Sequence, residues 1–286
     1  MTPEQALDDL AALMKAGSVA ALVGAGASIN AGLPNWSNLL GELCGKMERI
    51  PGIEPALIES CKRLHGDRSK WLILASLLRR HLGTAFEEYI DERFCDPKLD
   101  PTEIHKSIVS LPFRFIATLN YDDLLEAAYS ELSLGKKRID PITYDKPGDV
   151  ASYFYKGNPF VLYCHGRAKT DSRRVILSDG DYRSLIQTQV GYQSILQTLF
   201  TTTSFIFVGT SLGDPDIQLL LGFLHSAFHG KTPAHYALVP ASEKESAESN
   251  QLFHDFKLNI VSLEDVDFGK NVVTFLTKLQ KLSVLT

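Results

Sequence analysis

VAALVGAGAS, residues 19–28, decides the fold. Its first five residues are all apolar, with none of the polar alternation of a half-exposed strand. Such a run reads as a strand buried on both faces. A turn of glycine and small residues follows at once, which is how a parallel α/β unit begins. Five other runs repeat the pattern: FRFIATL (113–119), PFVLYC (159–164), SFIFV (204–208), HYALVP (235–240) and LNIVSL (258–263). Helical segments are expected between them, over residues 3–15, from Trp36 or Ser37 onward, and over 186–200, 216–229 and 271–282. Thr2 and Pro3 suit the start of the first helix and Gly17 its end. Residues 50–100, with LLRRHLG and AFEEYIDERF, read as helices with short breaks that interrupt the strand rhythm. The expected architecture is a Rossmann-like, mostly parallel sheet with helices on both faces, a small helical lobe and no zinc ribbon. It spans residues 1–286 as one unit, with a helical insertion at about 50–100.

With 286 residues, 44% of them hydrophobic, the chain can bury a sizeable core. Its formal net charge of −5 argues against direct nucleic-acid binding, which favours a basic surface. The cysteines at 44, 61, 95 and 164 form no C-x-x-C pair, so they read as reduced thiols of a cytoplasmic protein and not as a zinc cluster. The N-terminus lacks the basic start of a signal peptide, and the longest apolar runs are too short to cross a bilayer.

In the turn Gly24-Ala25-Gly26-Ala27-Ser28, Gly26 permits a positive φ or the close approach of a phosphate, and exposed amides could hold a pyrophosphate. The same residues would also suit a tight turn without a ligand. No lysine follows, so this is not a nucleotide-hydrolysing P-loop, and Ile29 breaks the G-x-G-x-x-G pattern. GLPNW (32–36) adds an ordered segment beside the turn.

Polar residues recur where the other strands end. Thr118, Asn120, Asp122 and Asp123 follow FRFIATL. Asn120 can orient a water or a ribose hydroxyl, and Asp122 can bind ribose; equally, they can start a turn and cap a helix. His165-Gly166 ends PFVLYC and places a neutral-pH base at a strand end. Gly209, Thr210 and Ser211 end SFIFV and can donate to phosphate or ribose. In a parallel sheet all these ends share one edge.

In their order, VGAGAS (23–28), GLPNW (32–36), TLNYDDLLE (118–126), YCHG (163–166) and FVGTSLGDPDI (207–217) resemble the Sir2 family of sirtuin-like NAD⁺-binding proteins. The resemblance is closest to zinc-free bacterial SIR2-like NADase domains of anti-phage defence. It implies that Gly24, Ala25, Gly26, Ala27 and Ser28 line the NAD⁺ pyrophosphate and that Leu33, Pro34 and Trp36 cover the cofactor. Asn120 and Asp122 would lie near the nicotinamide ribose, with His165 the catalytic histidine beside Asn120. Gly209, Thr210 and Ser211 would approach the phosphates and the adenosine ribose. The implied reaction is hydrolysis of NAD⁺ to nicotinamide and ADP-ribose without a metal, for defence by NAD⁺ depletion. Alternatives are a deacylase or ADP-ribosyltransferase using another acceptor, and a non-catalytic module sensing NAD⁺ or ADP-ribose. The zinc-ribbon cysteines of the deacylases are absent after Cys164, and GLPNW lacks their phenylalanine-arginine pair. With no room in 286 residues for a sensor beside this fold, control is expected from self-association, from a partner that senses infection, or from a further portion of the chain outside this sequence.

Metal analysis of the purified protein should find no tightly held zinc. One zinc per chain, with activity that chelation abolishes and zinc restores, overturns this expectation.

Overall fold

The computed structural model describes residues 1–210, 222, 232–248 and 257–284. Among them seven strands form one sheet: β1 (Val19–Val23), β2 (Ile116–Thr118), β3 (Asp140–Thr143), β4 (Phe160–Tyr163), β5 (Ser204–Val208), β6 (His235–Pro240) and β7 (Leu258–Leu263). Their order is β3-β4-β2-β1-β5-β6-β7, and every neighbouring pair is parallel.

The helices are α1 (Pro3–Lys15), α2 (Trp36–Glu48), α3 (Pro55–His65), α4 (Trp71–Leu82), α5 (Thr84–Phe94), α6 (Glu103–Val109), α7 (Leu124–Leu132), α8 (Pro147–Lys156), α9 (Asp179–Thr188), α10 (Val190–Thr202), α11 (Lys244–Glu248) and α12 (Phe268–Val284). Thr2 caps α1 in a capping box with Gln5, and Pro3 opens the helix, as the sequence suggests. Of the helix expected over 216–229 only Gly222 is described, and it is helical.

Continuous apolar strands follow from burial on both faces. Successive residues of β1 point to opposite sides. Val19, Ala21 and Val23 join Ile206 and Val208 in a core closed by α1, α6, α7 and α12. Ala20 and Leu22 join Phe205 and Phe207 in a second core closed by α8, α9 and α10. Two departures from the sequence expectation concern the left half of the sheet. Only Ile116–Thr118 of FRFIATL is strand, although Arg114 N already donates to Val19 O at 2.9 Å. The strand β3 was not expected. Its Pro141 cannot donate to a ladder, which an outermost strand tolerates.

Helices α2–α5 surround a third core, which takes in Leu33, Tyr121, Leu124, Val175 and Leu177 from outside them. This core starts with α2, earlier than the break near residue 50. A polar clasp also ties the lobe to the sheet side. Arg79 of α4 donates to Val175 O at 2.9 Å and to Asp181 Oδ2 at 2.6 Å, and also to Arg173 O. The same Asp181 oxygen accepts from the amides of Leu177 (3.2 Å) and Ser178 (2.8 Å), at the start of α9. Removing the guanidinium strands two carbonyls and a half-buried carboxylate. Arg79→Ala should therefore cost on the order of 1–3 kcal/mol. Exposed Arg173, paired with nearby Asp171, should lose far less stability as Arg173→Ala. Urea unfolding of both variants checks this; equal losses would show that the clasp is not what holds the lobe.

Candidate active site

Strand register brings the expected residues to one edge. Val23 pairs with Thr118 on one side and Val208 on the other, and Thr118 pairs with Tyr163. The residues that follow, at Gly24, Asn120, His165 and Gly209, therefore emerge side by side from β1, β2, β4 and β5.

The glycine turn is not the free phosphate cradle that the sequence suggests. Gly24 N donates to Val208 O (3.0 Å), Gly26 N to Gly209 O (2.8 Å), Ala27 N to Gly24 O (3.1 Å) and Ser28 N to Ala25 O (3.0 Å). Two 3₁₀ turns, Ala25–Ala27 and Ile29–Ala31, follow in place of a long helix start. What the glycines allow is contact between two backbones. A Cβ on Gly26 would lie 2.8 Å from Gly209 Cα, and one on Gly209 would lie 2.5 Å from Ala27 N. Gly209 alone of this group has a positive φ, at 67°.

Two adjoining spaces open above this junction. The smaller, about 60 Å³, is lined by Gly24, Ala25, Ser28, Leu33, Pro34, Trp36, Asn120, Asp122 and His165 among others. The larger, about 490 Å³, is lined by Ala25, Gly26, Trp36, Gly209 and Thr210, with Arg68, Trp71, Glu243 and Phe268. Ala25, Asn35 and Trp36 belong to both. Ala27 is fully buried and lines neither. Ser211 lies outside the described residues. Arg68, Trp71 and Glu243 were not expected. Trp71 stands 5.7 Å from Trp36, ring to ring, and is anchored by its Nε1 on His65 O at 2.9 Å. Arg68 lies 5.4 Å over the Trp71 ring.

Below the smaller chamber lies a buried polar cluster. Asn120 Nδ2 donates to Gly24 O at 3.2 Å and to Ser28 Oγ at 3.1 Å. A carbonyl only accepts, so the amide nitrogen must face Gly24 and Oδ1 is the group left to present. Ser28 Oγ donates to Asp122 Oδ2 at 2.9 Å, and Leu124 N donates to Asp122 Oδ1 at 3.1 Å. Behind Asp122, Tyr163 OH reaches Asp122 O (2.9 Å) and Glu126, and Arg167 Nε donates to Glu126 Oε1 at 2.9 Å. His105 Nε2 lies 3.2 Å from Ser28 Oγ. The sequence reading missed His105, whose sole local signal is the Thr102-x-x-His105 spacing of a helix cap.

Burial sets the protonation states. It pushes the Asp122 carboxyl up to about 6 and raises Glu126, while Leu124 N–H and the Ser28 hydroxyl pull Asp122 back down. Burial lowers His165 to about 3, and His105 and His235 to about 4. All three imidazoles are neutral at physiological pH.

Residues 114–261 match a family model described as a SIR2-like domain. The chain is 26% identical over 247 residues to the NAD(+) hydrolase ThsA of Bacillus cereus (strain MSX-D12), covering 85% of this chain and 47% of that protein. It is 25% identical over 266 residues to the NAD(+) hydrolase ThsA of Acinetobacter baumannii (strain 532279), covering 91% and 49%. A match to defense-associated sirtuin 2 of Bacillus subtilis, 24% identical over 212 residues, covers 73% and 19%. The chain spans about half the length of these hydrolases, and less of the sirtuin.

The shifted groups make stability depend on pH. An imidazole lowered from 6.5 stabilises the fold above 6.5, and that contribution is lost as pH falls toward 4 or 3. A carboxyl raised from 3.8, as in Asp122, acts oppositely: its contribution is present below 3.8 and lost as pH rises through about 6. Three imidazoles outnumber the two raised carboxyls of Asp122 and Glu126. The urea midpoint should therefore fall between about pH 7 and pH 5; a level or rising midpoint would contradict the burial of these histidines.

Proposed function

The chain belongs to the SIR2-like domain family, and from that premise we propose that it hydrolyses NAD⁺ to nicotinamide and ADP-ribose. One observation carries the reading. Asn120 and His165, from the ends of neighbouring strands, line one small buried chamber that shares the wall of Ala25, Asn35 and Trp36 with a much larger cleft across β1. Two adjoining compartments suit the two halves of a dinucleotide. The larger takes the adenosine and phosphates, against Gly209 and Thr210 with Arg68 nearby. The smaller takes the nicotinamide ribose. At about 60 Å³ it has room for roughly two waters. The segment from Leu33 to Trp36 must shift to admit the ring.

Nicotinamide departs neutral, so the bond to C1′ breaks with little need for an acid. Positive charge then grows on the ribose. The Asp122 carboxylate favours that charge, and the low dielectric of a buried chamber strengthens their attraction. Asn120, with its nitrogen held by Gly24 and Ser28, offers Oδ1 to a water or a ribose hydroxyl. His165 is kept neutral and is a weak base in the closed chamber. Its first task is to orient the nucleophile by hydrogen bonding, and it can accept the proton once C1′ has been attacked. The relatives named NAD(+) hydrolases, and the defense-associated sirtuin, support placing this reaction in bacterial defence by NAD⁺ depletion. In this proposal the protein acts in the cytoplasm, and self-association or a partner sensing infection restrains it.

The test is product analysis after incubation with NAD⁺, alone and with the product of a neighbouring gene. Nicotinamide and ADP-ribose should appear. His165→Ala and Asn120→Ala should each reduce turnover by roughly 10²-fold, with NAD⁺ binding held within a few-fold. A sensing role takes over if NAD⁺ is bound and never cleaved. Cleavage that requires an acylated peptide makes the chain a deacylase.

A further inference from the structure

Ser28 is 2% exposed, and its hydroxyl has all its hydrogen-bonding positions filled. It donates to Asp122, accepts from Asn120 Nδ2, and has His105 Nε2 as its third neighbour. The protons on this chain of contacts can be assigned. Thr102 N–H can only donate, and it points at His105 Nδ1 from 3.1 Å. Nδ1 is therefore an acceptor, and a neutral imidazole then carries its proton on Nε2. With N–H groups of His105 and Asn120 both aimed at Ser28 Oγ, the hydroxyl proton has one direction left, toward Asp122.

We propose that His105 is a positioning residue for the reaction assigned above: its Nε2–H fixes the Ser28 hydroxyl, which orients Asp122 and holds Asn120 with Oδ1 toward the chamber. The inference rests on the hydrolase reading for its kinetic consequence. His105 is itself fully buried and lines neither space. Its second nitrogen has a separate task, since Nδ1 completes the capping box at the start of α6. The two tasks can be separated by substitution. His105→Gln keeps a donor near Nε2 and gives up the Nδ1 acceptor. His105→Asn keeps an acceptor near Nδ1 and gives up the donor.

The experiment compares kcat, KM and melting temperature of the two variants with the unmodified chain on NAD⁺. His105→Gln should melt lower yet keep kcat within about 3-fold. His105→Asn should melt closer to the unmodified chain and lose roughly 10-fold or more in kcat, with KM within about 3-fold, as expected for a misplaced reacting group. A role confined to the helix cap gives the reverse order, and that order, or equal kcat in the two variants, overturns the proposal. Should either variant fail to fold, Ser28→Ala provides the same reading: a kcat loss of similar size supports it, and an unchanged kcat refutes it. The imidazole tautomer gives a test without any turnover. Nitrogen-15 NMR of the unmodified chain should show His105 as the Nε2–H form at neutral pH; an Nδ1–H form or an imidazolium refutes the proposal even if NAD⁺ is never cleaved, and the Nε2–H form with no cleavage strikes only the hydrolase reading.

Discussion

The turn after β1 and the turn after β5 touch through their backbones, and the edge of the sheet is organised around that contact. Gly26 N–H to Gly209 O closes it at 2.8 Å. No side chain could stand at either position without moving the opposite strand end. Because the turns meet this closely, the carbonyl of Gly24 is held where Asn120 can bond to it, and Ser28 is delivered to Asp122. Ala25, within the same turn, is part of the wall between the two spaces. The small residues are thus needed for the closure of one backbone on the other, and any phosphate contact has to come from groups that this closure leaves over.

Much of this was legible in the sequence for a simple reason. A parallel sheet covered on both faces makes its strands continuously apolar, and places all their C-terminal ends on one side. VAALV, SFIFV and LNIVSL were recognisable, and so were Asn120 and His165 just past two strand ends. The strand Asp140–Thr143 was not, because half of it is exposed and proline occupies its second position. That the amides of Gly24, Gly26, Ala27 and Ser28 are already bonded was hidden as well. For Gly26 the partner is Gly209 O, whose approach no local pattern encodes. His105 sits on a short helix 77 residues from Ser28, and its ring meets the cluster only through the tertiary fold. Arg68 and Trp71 were obscured by reading the lobe for its helices and not for the face it turns to the cleft.

The site is buried, and its charges follow from that. An imidazole loses its proton in such surroundings and a carboxyl tends to regain one. Asp122 nevertheless keeps two donors, Ser28 Oγ and Leu124 N, which favour its ionised form. Around it, Glu126 is matched by Arg167, and Asp123 by Lys169 at 2.7 Å. A network satisfied at each of these points resists rearrangement. That rigidity suits a reaction in which charge appears on the substrate, since dipoles already in place need not reorganise as the bond breaks.

The position of β1 at the middle of the sheet also bears on how the chain reaches this state. Ala21 pairs with Ile116 and Val19 with Ser204, so the partners of β1 are about 95 and 185 residues downstream. Closing loops of that size costs entropy before any pairing returns it, and folds dominated by such contacts form slowly. During synthesis VAALV leaves the ribosome long before either neighbour exists. The helical lobe, whose four helices are close in sequence, can collapse in the interval. This wholly apolar strand, paired on both sides in the folded chain, is therefore the segment with the longest wait, and one in need of shelter from other nascent chains.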